Sequence, residues 1–160
     1  MAATTMPETG AKAPAFILPD QDNNKVKLTD FKGEWVVLYF YPKDDTPGCT
    51  TEACEFTAGI KAFEKLGATV LGISPDTVEK HRKFADKYKL KVTLLADPDR
   101  KVLEKFGAYR TKKMYGKEVK GVIRSTFIID PAGKVAHAWK SVKAKGHAEK
   151  VREKLEELTA

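Results

Sequence analysis

The chain is predicted to fold as one α/β domain, a mixed central sheet flanked by helices. Three observations predict it. Residues Trp35 to Tyr41 are apolar at nearly every position and rich in β-branched and aromatic types, the pattern of a buried strand in a largely parallel sheet. Strand-like and helix-like stretches then alternate along the chain, which is the pattern of a layered α/β structure. Near the C-terminus, Val122 to Ile129 and Lys134 to Trp139 flank the turn sequence Asp130-Pro-Ala-Gly133, so the last two strands pair antiparallel.

Size and composition fit that class. A chain of 160 residues is long enough to bury a core in one domain, here 1–160 with residues 1–12 as a flexible lead. The apolar share of 42% argues against disorder. No apolar run is long enough to span a bilayer, and no membrane partner is expected. Met1 to Gly10 lacks the basic and apolar parts of a secretory signal, so a cytoplasmic protein is expected. Two cysteines in that setting read as reactive thiols rather than a structural bridge. The net charge is +7, with basic residues gathered between Arg110 and Lys120. Acidic residues are dispersed elsewhere and no nucleic-acid motif accompanies the patch, so no nucleic-acid partner is expected and the stretch reads as a solvated loop.

Each element follows from local chemistry. Phe16 to Leu18 and Val26 to Leu28 flank a polar Asp20 to Asn24 segment, a small hairpin. Leu28-Thr-Asp-Phe31 makes a short helical turn before Gly33. After the Trp35 to Tyr41 strand, Pro42 stops the pairing. Thr46 then reads as an N-cap with Pro47 at N1, opening an amphipathic helix to about Leu66 whose stripe runs through Phe56, Ile60, Phe63 and Gly67. Thr69 to Ile73 is a second strand. Ser74-Pro75 reads as another N-cap and N1 pair, leading a helix with Val78, His81, Ala85 and Tyr88 on its buried side. Val92 to Ala96 is a strand, Asp97 and Pro98 open a short helix through Phe106, and Gly107 ends it. Gly146 to Leu158, with Ala148, Val151, Leu155 and Leu158 on one face, is a terminal helix packed on the sheet.

The chemistry is expected at the start of the helix after the first long strand. Cys49 lies in its first turn, where unpaired backbone N–H groups and the positive end of the dipole favour a thiolate. It sits seven residues before Phe56, on nearly the same stripe, and so faces the protein body. Cys54 points about 160° away from that stripe. Residues five apart on a helix have Cα atoms roughly 8–9 Å apart, beyond the ~7 Å a disulfide tolerates. If the two thiols react with each other, the first turns must unwind. His81, His137 and His147 are widely spaced and form no ligand pattern with the cysteines, so no zinc site is expected.

The residues carry a resemblance. Pro42, Thr46 and Cys49 match the peroxiredoxin signature of Pro, three residues, Thr or Ser, two residues, Cys. With Glu52 and Cys54 the string resembles the peroxiredoxin Q subfamily, also called bacterioferritin comigratory protein. Arg124, in Ile123-Arg-Ser-Thr-Phe127, matches that family's second active-site arginine region. The similarity runs from about Ala13 to Leu158, through Ala96-Asp-Pro-Asp99, Lys113-Met-Tyr-Gly-Lys117 and Lys145-Gly-His147.

The resemblance implies a thioredoxin-like fold and a thiol peroxidase acting on hydrogen peroxide and organic hydroperoxides. It implies Cys49 as the peroxidatic cysteine, Cys54 as the resolving one, thioredoxin or a similar dithiol as reductant, and no metal or organic cofactor. Because the pair is self-contained, a monomer is expected. Arg124 and Thr46 would hold the peroxide, and Pro42 would shield the sulfur. Two readings of Glu52 stay open, an orienter of Arg124 or a surface carboxylate complementing the helix dipole. The alternative activity is a general thiol–disulfide oxidoreductase, although such proteins usually carry C-x-x-C. A binding protein using the basic surface is a third reading.

Overall fold

The structure, a computed structural model, describes residues 6–160, with backbone only for Lys112 and Met114. Its centre is a five-stranded sheet. The strands are β3 (Trp35–Phe40), β4 (Ala68–Ser74), β5 (Thr93–Ala96), β8 (Ser125–Ile129) and β9 (Val135–Trp139), in the order β5-β4-β3-β8-β9. β3 runs parallel to β4 and antiparallel to β8, so the sheet is mixed as expected. Around it lie the hairpins β1 (Ile17–Pro19)–β2 (Lys25–Lys27) and β6 (Tyr109–Met114)–β7 (Lys117–Val122).

The twofold alternation of a strand divides the core. Val36, Leu38 and Phe40 of β3 face one apolar cluster with Phe16, Leu103, Phe106 and Phe127. That cluster lies under α4 (Lys101–Lys105) and the hairpins. Val37 and Tyr39 face the other way, with Cys49, Phe56, Phe63, Phe84, Val151 and Leu155. These belong to α1 (Pro47–Ala58), α2 (Ile60–Lys65), α3 (Val78–Tyr88) and α5 (His147–Thr159). Burying a Phe or Leu side chain contributes about 1.5–3 kcal/mol, so these two layers dominate stability.

Several boundaries differ from the sequence reading. The helix expected from Pro47 to Leu66 is interrupted at Gly59, a poor helix former in the middle of the stretch; its φ/ψ of −94°/5° ends α1 and starts α2. Ser74 is the last residue of β4 rather than an N-cap. Its hydroxyl binds Asp76 Oδ2 at 2.7 Å, and Thr77 caps α3 by accepting from Lys80 N. The expected Arg110 to Lys120 loop is the β6–β7 hairpin. Tyr115 and Gly116, with φ of +53° and +77°, make its two-residue turn. Its strands are mostly exposed, so no apolar alternation marks them.

The lead expected to be flexible over 1–12 is tied down from Met6 onward; residues 1–5 lie outside the described residues. Met6 and Ala13 are buried. Gly10 N donates to Val135 O, Val135 N to Ala11 O, and Ala13 N to Gly133 O, so the segment lies along β9. The strand expected over Val122 to Ile129 is cut at Ile123 and Arg124, because those two residues pair elsewhere. Ile123 N bonds Ala108 O at 2.6 Å, and Arg124 O accepts from Val142 N at 3.0 Å. No helix among the described residues is long and apolar enough to cross a membrane.

Candidate active site

Sheet register assembles the site. Phe40, the last residue of β3, faces Ser125, the first of β8. The residues just beyond both strand ends therefore meet at one edge: the segment 41–49 leaving β3 and Arg124 entering β8. Gly48 marks how closely they approach, since a Cβ there would lie 3.1 Å from Arg124 Nη2.

Cys49 is 1% exposed and lies in the first turn of α1, which Pro47 opens. Arg124 Nη2 donates to its Sγ at 3.2 Å, and Nη1 donates to Glu52 Oε1 at 2.6 Å. One rigid guanidinium thus spans a sulfur and a carboxylate three residues apart on one helical face. The positive side chain stands against the atom that would carry the thiolate charge.

Glu52 is fully buried and paired with Arg124, so it is not the surface carboxylate of the second reading. Burial pushes its carboxyl up to about 7, against the opposing pull of Arg124. Its second oxygen, and the buried hydroxyl of Tyr39, have no partner among the described residues. Burial, followed by the nearby Glu52 and Cys49, holds the Tyr39 phenol well above its ordinary range.

Thr46 occupies the N-cap position, but its hydroxyl does not cap the helix; it donates to Lys43 O at 2.8 Å. Pro42 is half-buried at the head of the same segment. The structure thus brings Thr46, Cys49, Glu52 and Arg124 to one edge, with Pro42 leading in. Cys54 is set apart, half-buried on α1, with its thiol raised by burial, and both cysteines are free. Of the histidines, His147 is buried and bonds Thr126 Oγ1 at 2.7 Å; burial lowers it to about 4. Burial also lowers His137.

Sequence reading left one cluster unexamined. Asp44, Asp76 and His81 are buried and bring ligand-type atoms within 4.8 Å of one another. All three also hydrogen-bond to the protein. The available signal was an Asp three residues past a buried Tyr at a strand end, with a His on the buried stripe of the helix that follows the next strand.

Comparison with known proteins decides the family. The AhpC/TSA family model matches residues 9–138. The chain belongs to the AhpC/TSA family. A putative peroxiredoxin of Mycobacterium tuberculosis is 52% identical over 155 residues, 97% of this chain and 99% of the relative. Peroxiredoxin Bcp of Bacillus subtilis is 45% identical over 152 residues, covering 95% and 97%. Among solved structures, peroxiredoxin Q of Xanthomonas campestris superposes with a TM-score of 0.89 at 39% identity, covering 95% of this chain and 99% of that one. Within the AhpC/TSA family the chain is therefore a peroxiredoxin of the Q/Bcp type, a thiol peroxidase with a thioredoxin-like fold.

Proposed function

We propose that this AhpC/TSA protein reduces hydrogen peroxide and organic hydroperoxides with Cys49 as the attacking thiolate and Cys54 as the resolving thiol. The observation that carries the reading is the guanidinium of Arg124, 3.2 Å from Cys49 Sγ and locked to Glu52 at 2.6 Å. The thiolate attacks one peroxide oxygen, the O–O bond breaks, and the departing oxygen leaves as water or alcohol after taking a proton; Cys49 becomes a sulfenic acid. Negative charge spreads over sulfur and both oxygens in that step, and Arg124 is a fixed cation aimed at the place. The Thr46 hydroxyl spends its hydrogen on Lys43 O, which leaves its oxygen to accept from the peroxide O–H. Pro42 covers the approach and keeps bulk water off the sulfenic acid.

Resolution needs motion. Cys54 sits five residues on along an intact helix, so its thiol reaches the sulfenic sulfur only when the first turns of α1 unwind. Unwinding also frees Cys54 from the burial that raises it, making a better nucleophile. The disulfide forms with loss of water, and a dithiol protein such as thioredoxin restores both thiols by exchange. A monomer suffices for this cycle, and a reducing, cytoplasmic setting suits it.

Intact mass after one equivalent of hydrogen peroxide tests the assignment. Wild type should lose about two mass units as the disulfide forms. Cys54→Ser should gain about sixteen, and Cys49→Ser should stay unchanged. Rapid oxidation of Cys49→Ser, or a wild type that gains about sixteen units instead of losing two, refutes the roles.

A further inference from the structure

We infer that Asp44 and His81 act as a positioning couple for the segment Pro42–Thr46, an inference that rests on the peroxidase reading above. The segment contributes Pro42 and Thr46 to the peroxide side of the site, yet it is a connection with no strand or helix of its own. Something must hold it. Asp44, which lies between those two residues, is tied at three points. Its Oδ1 accepts from the Tyr41 hydroxyl at 2.6 Å, its Oδ2 meets His81 Nδ1 at 2.6 Å, and its backbone N–H donates to Asp76 Oδ2 at 2.8 Å. Asp76 is held in turn by the Ser74 hydroxyl at 2.7 Å. The knot therefore binds the segment to the ends of β3 and β4 and, through His81, to α3.

The proton count of the couple follows from its partners. His81 Nε2 lies 2.9 Å from Leu95 O, a carbonyl that only accepts, so Nε2 carries a hydrogen. The 2.6 Å contact between Nδ1 and Asp44 Oδ2 needs one hydrogen more. It is shared between a ring nitrogen and a carboxyl oxygen in a site where His81 is fully buried. The couple is thus neutral as a whole, with either partner holding that hydrogen. Neither residue touches Cys49, Glu52 or Arg124 in any hydrogen bond among the described residues. The couple acts through the segment, and a misplacement of about 1 Å there is enough to cost on the order of a hundredfold in rate.

The proton count makes a specific prediction about rescue. Asparagine in place of Asp44 keeps every bond: its carbonyl accepts from Tyr41, and its amide donates to Nδ1 of a neutral His81 that still donates to Leu95. The test compares wild type with Asp44→Ala, Tyr41→Phe and Asp44→Asn, all reduced. Two rates are measured for each: oxidation of Cys49 by hydrogen peroxide and alkylation of Cys49 by iodoacetamide, which needs the thiolate but no peroxide pocket. Asp44→Ala should be oxidised about ten- to a hundredfold more slowly, with alkylation within about twofold of wild type. Tyr41→Phe, which keeps the packed ring and serves if Asp44→Ala does not fold, should lose about threefold or more in oxidation alone. Asp44→Asn should recover to within about threefold of wild type.

Wild-type oxidation rates in Asp44→Ala and Tyr41→Phe overturn the inference, as does an equal fall in oxidation and alkylation, or an Asp44→Asn as slow as Asp44→Ala. A wild type that does not consume peroxide while its Cys49 alkylates normally overturns the peroxidase reading instead.

Discussion

Replacing Glu52 with Gln isolates what burying a carboxylate beside Arg124 does to stability. The carboxyl sits at about 7 in the fold against an ordinary 4.5. At about 1.4 kcal/mol per pH unit, that difference is worth about 3 kcal/mol. The sign follows from which state holds the proton. Below pH 4.5 both folded and unfolded chains keep it, and stability is unaffected. As pH rises from there to about 7, the unfolded chain releases the proton and the folded one retains it, so stability falls; above about 7 the loss is complete. Glu52→Gln keeps an acceptor for Arg124 and removes this titration. In a Cys49→Ser background, which silences the thiolate, the stability of Glu52→Gln relative to Glu52 should therefore rise by about 2–3 kcal/mol between about pH 5 and about pH 8. Urea unfolding at the two pH values measures it. A difference that stays flat would refute the reasoning. It would mean that the 2.6 Å pair with Arg124 keeps Glu52 ionised throughout and outweighs burial.

Other parts of the site give further expectations. Gly48→Ala places a methyl 3.1 Å from Arg124 Nη2 and must move the guanidinium by a few tenths of an ångström; peroxide turnover should drop by about three- to tenfold with the melting temperature held, and an unchanged rate counts against close positioning. Arg124→Lys cannot span both Cys49 and Glu52, and kcat/KM for peroxide should fall by about a hundredfold or more. His147 is neutral in the fold at about 4 but takes up a proton near 6.5 when unfolded, so acid weakens the protein as pH falls across that window. His147→Gln should remove about 2–3 kcal/mol of that acid sensitivity in urea titrations, and an identical acid profile would show that burial, with Lys150 and Arg124 nearby, does not keep the imidazole neutral.

Much of this fold was legible because its signals are local. The β3 run, the Asp130 to Gly133 turn and the stripe of α5 each state their structure within a dozen residues. Cys49 could be placed in a first turn and facing inward from spacing alone. The errors fall where a distant partner overrides local preference. Ser74-Pro75 has the chemistry of a helix start, but Asp76 claims the Ser74 hydroxyl and Thr77 caps instead. Ile123 and Arg124 belong to a strand-like run, but Ala108 and Val142 take their backbone groups. That diversion leaves Arg124 at the strand end, beside Cys49. The β6–β7 hairpin escaped notice because exposed strands bury too little to show a pattern. The Asp44–His81 contact joins residues on different elements, and no single-sequence periodicity reports such a pair.

If oxidation unwinds α1 as proposed, the interruption at Gly59 would also make the redox state of the protein readable by a protease. That unwinding should stop at the glycine, because α2 is a separate helix whose Phe63 is buried against the sheet. Glu52 and Glu55 lie before the stop and Glu64 beyond it. A Glu-specific protease should leave this region of the reduced chain whole, cut the oxidised chain after Glu52 or Glu55, and spare Glu64 in both. The cut would mark, on a gel, the downstream limit of the segment that has to open for the two thiols to meet.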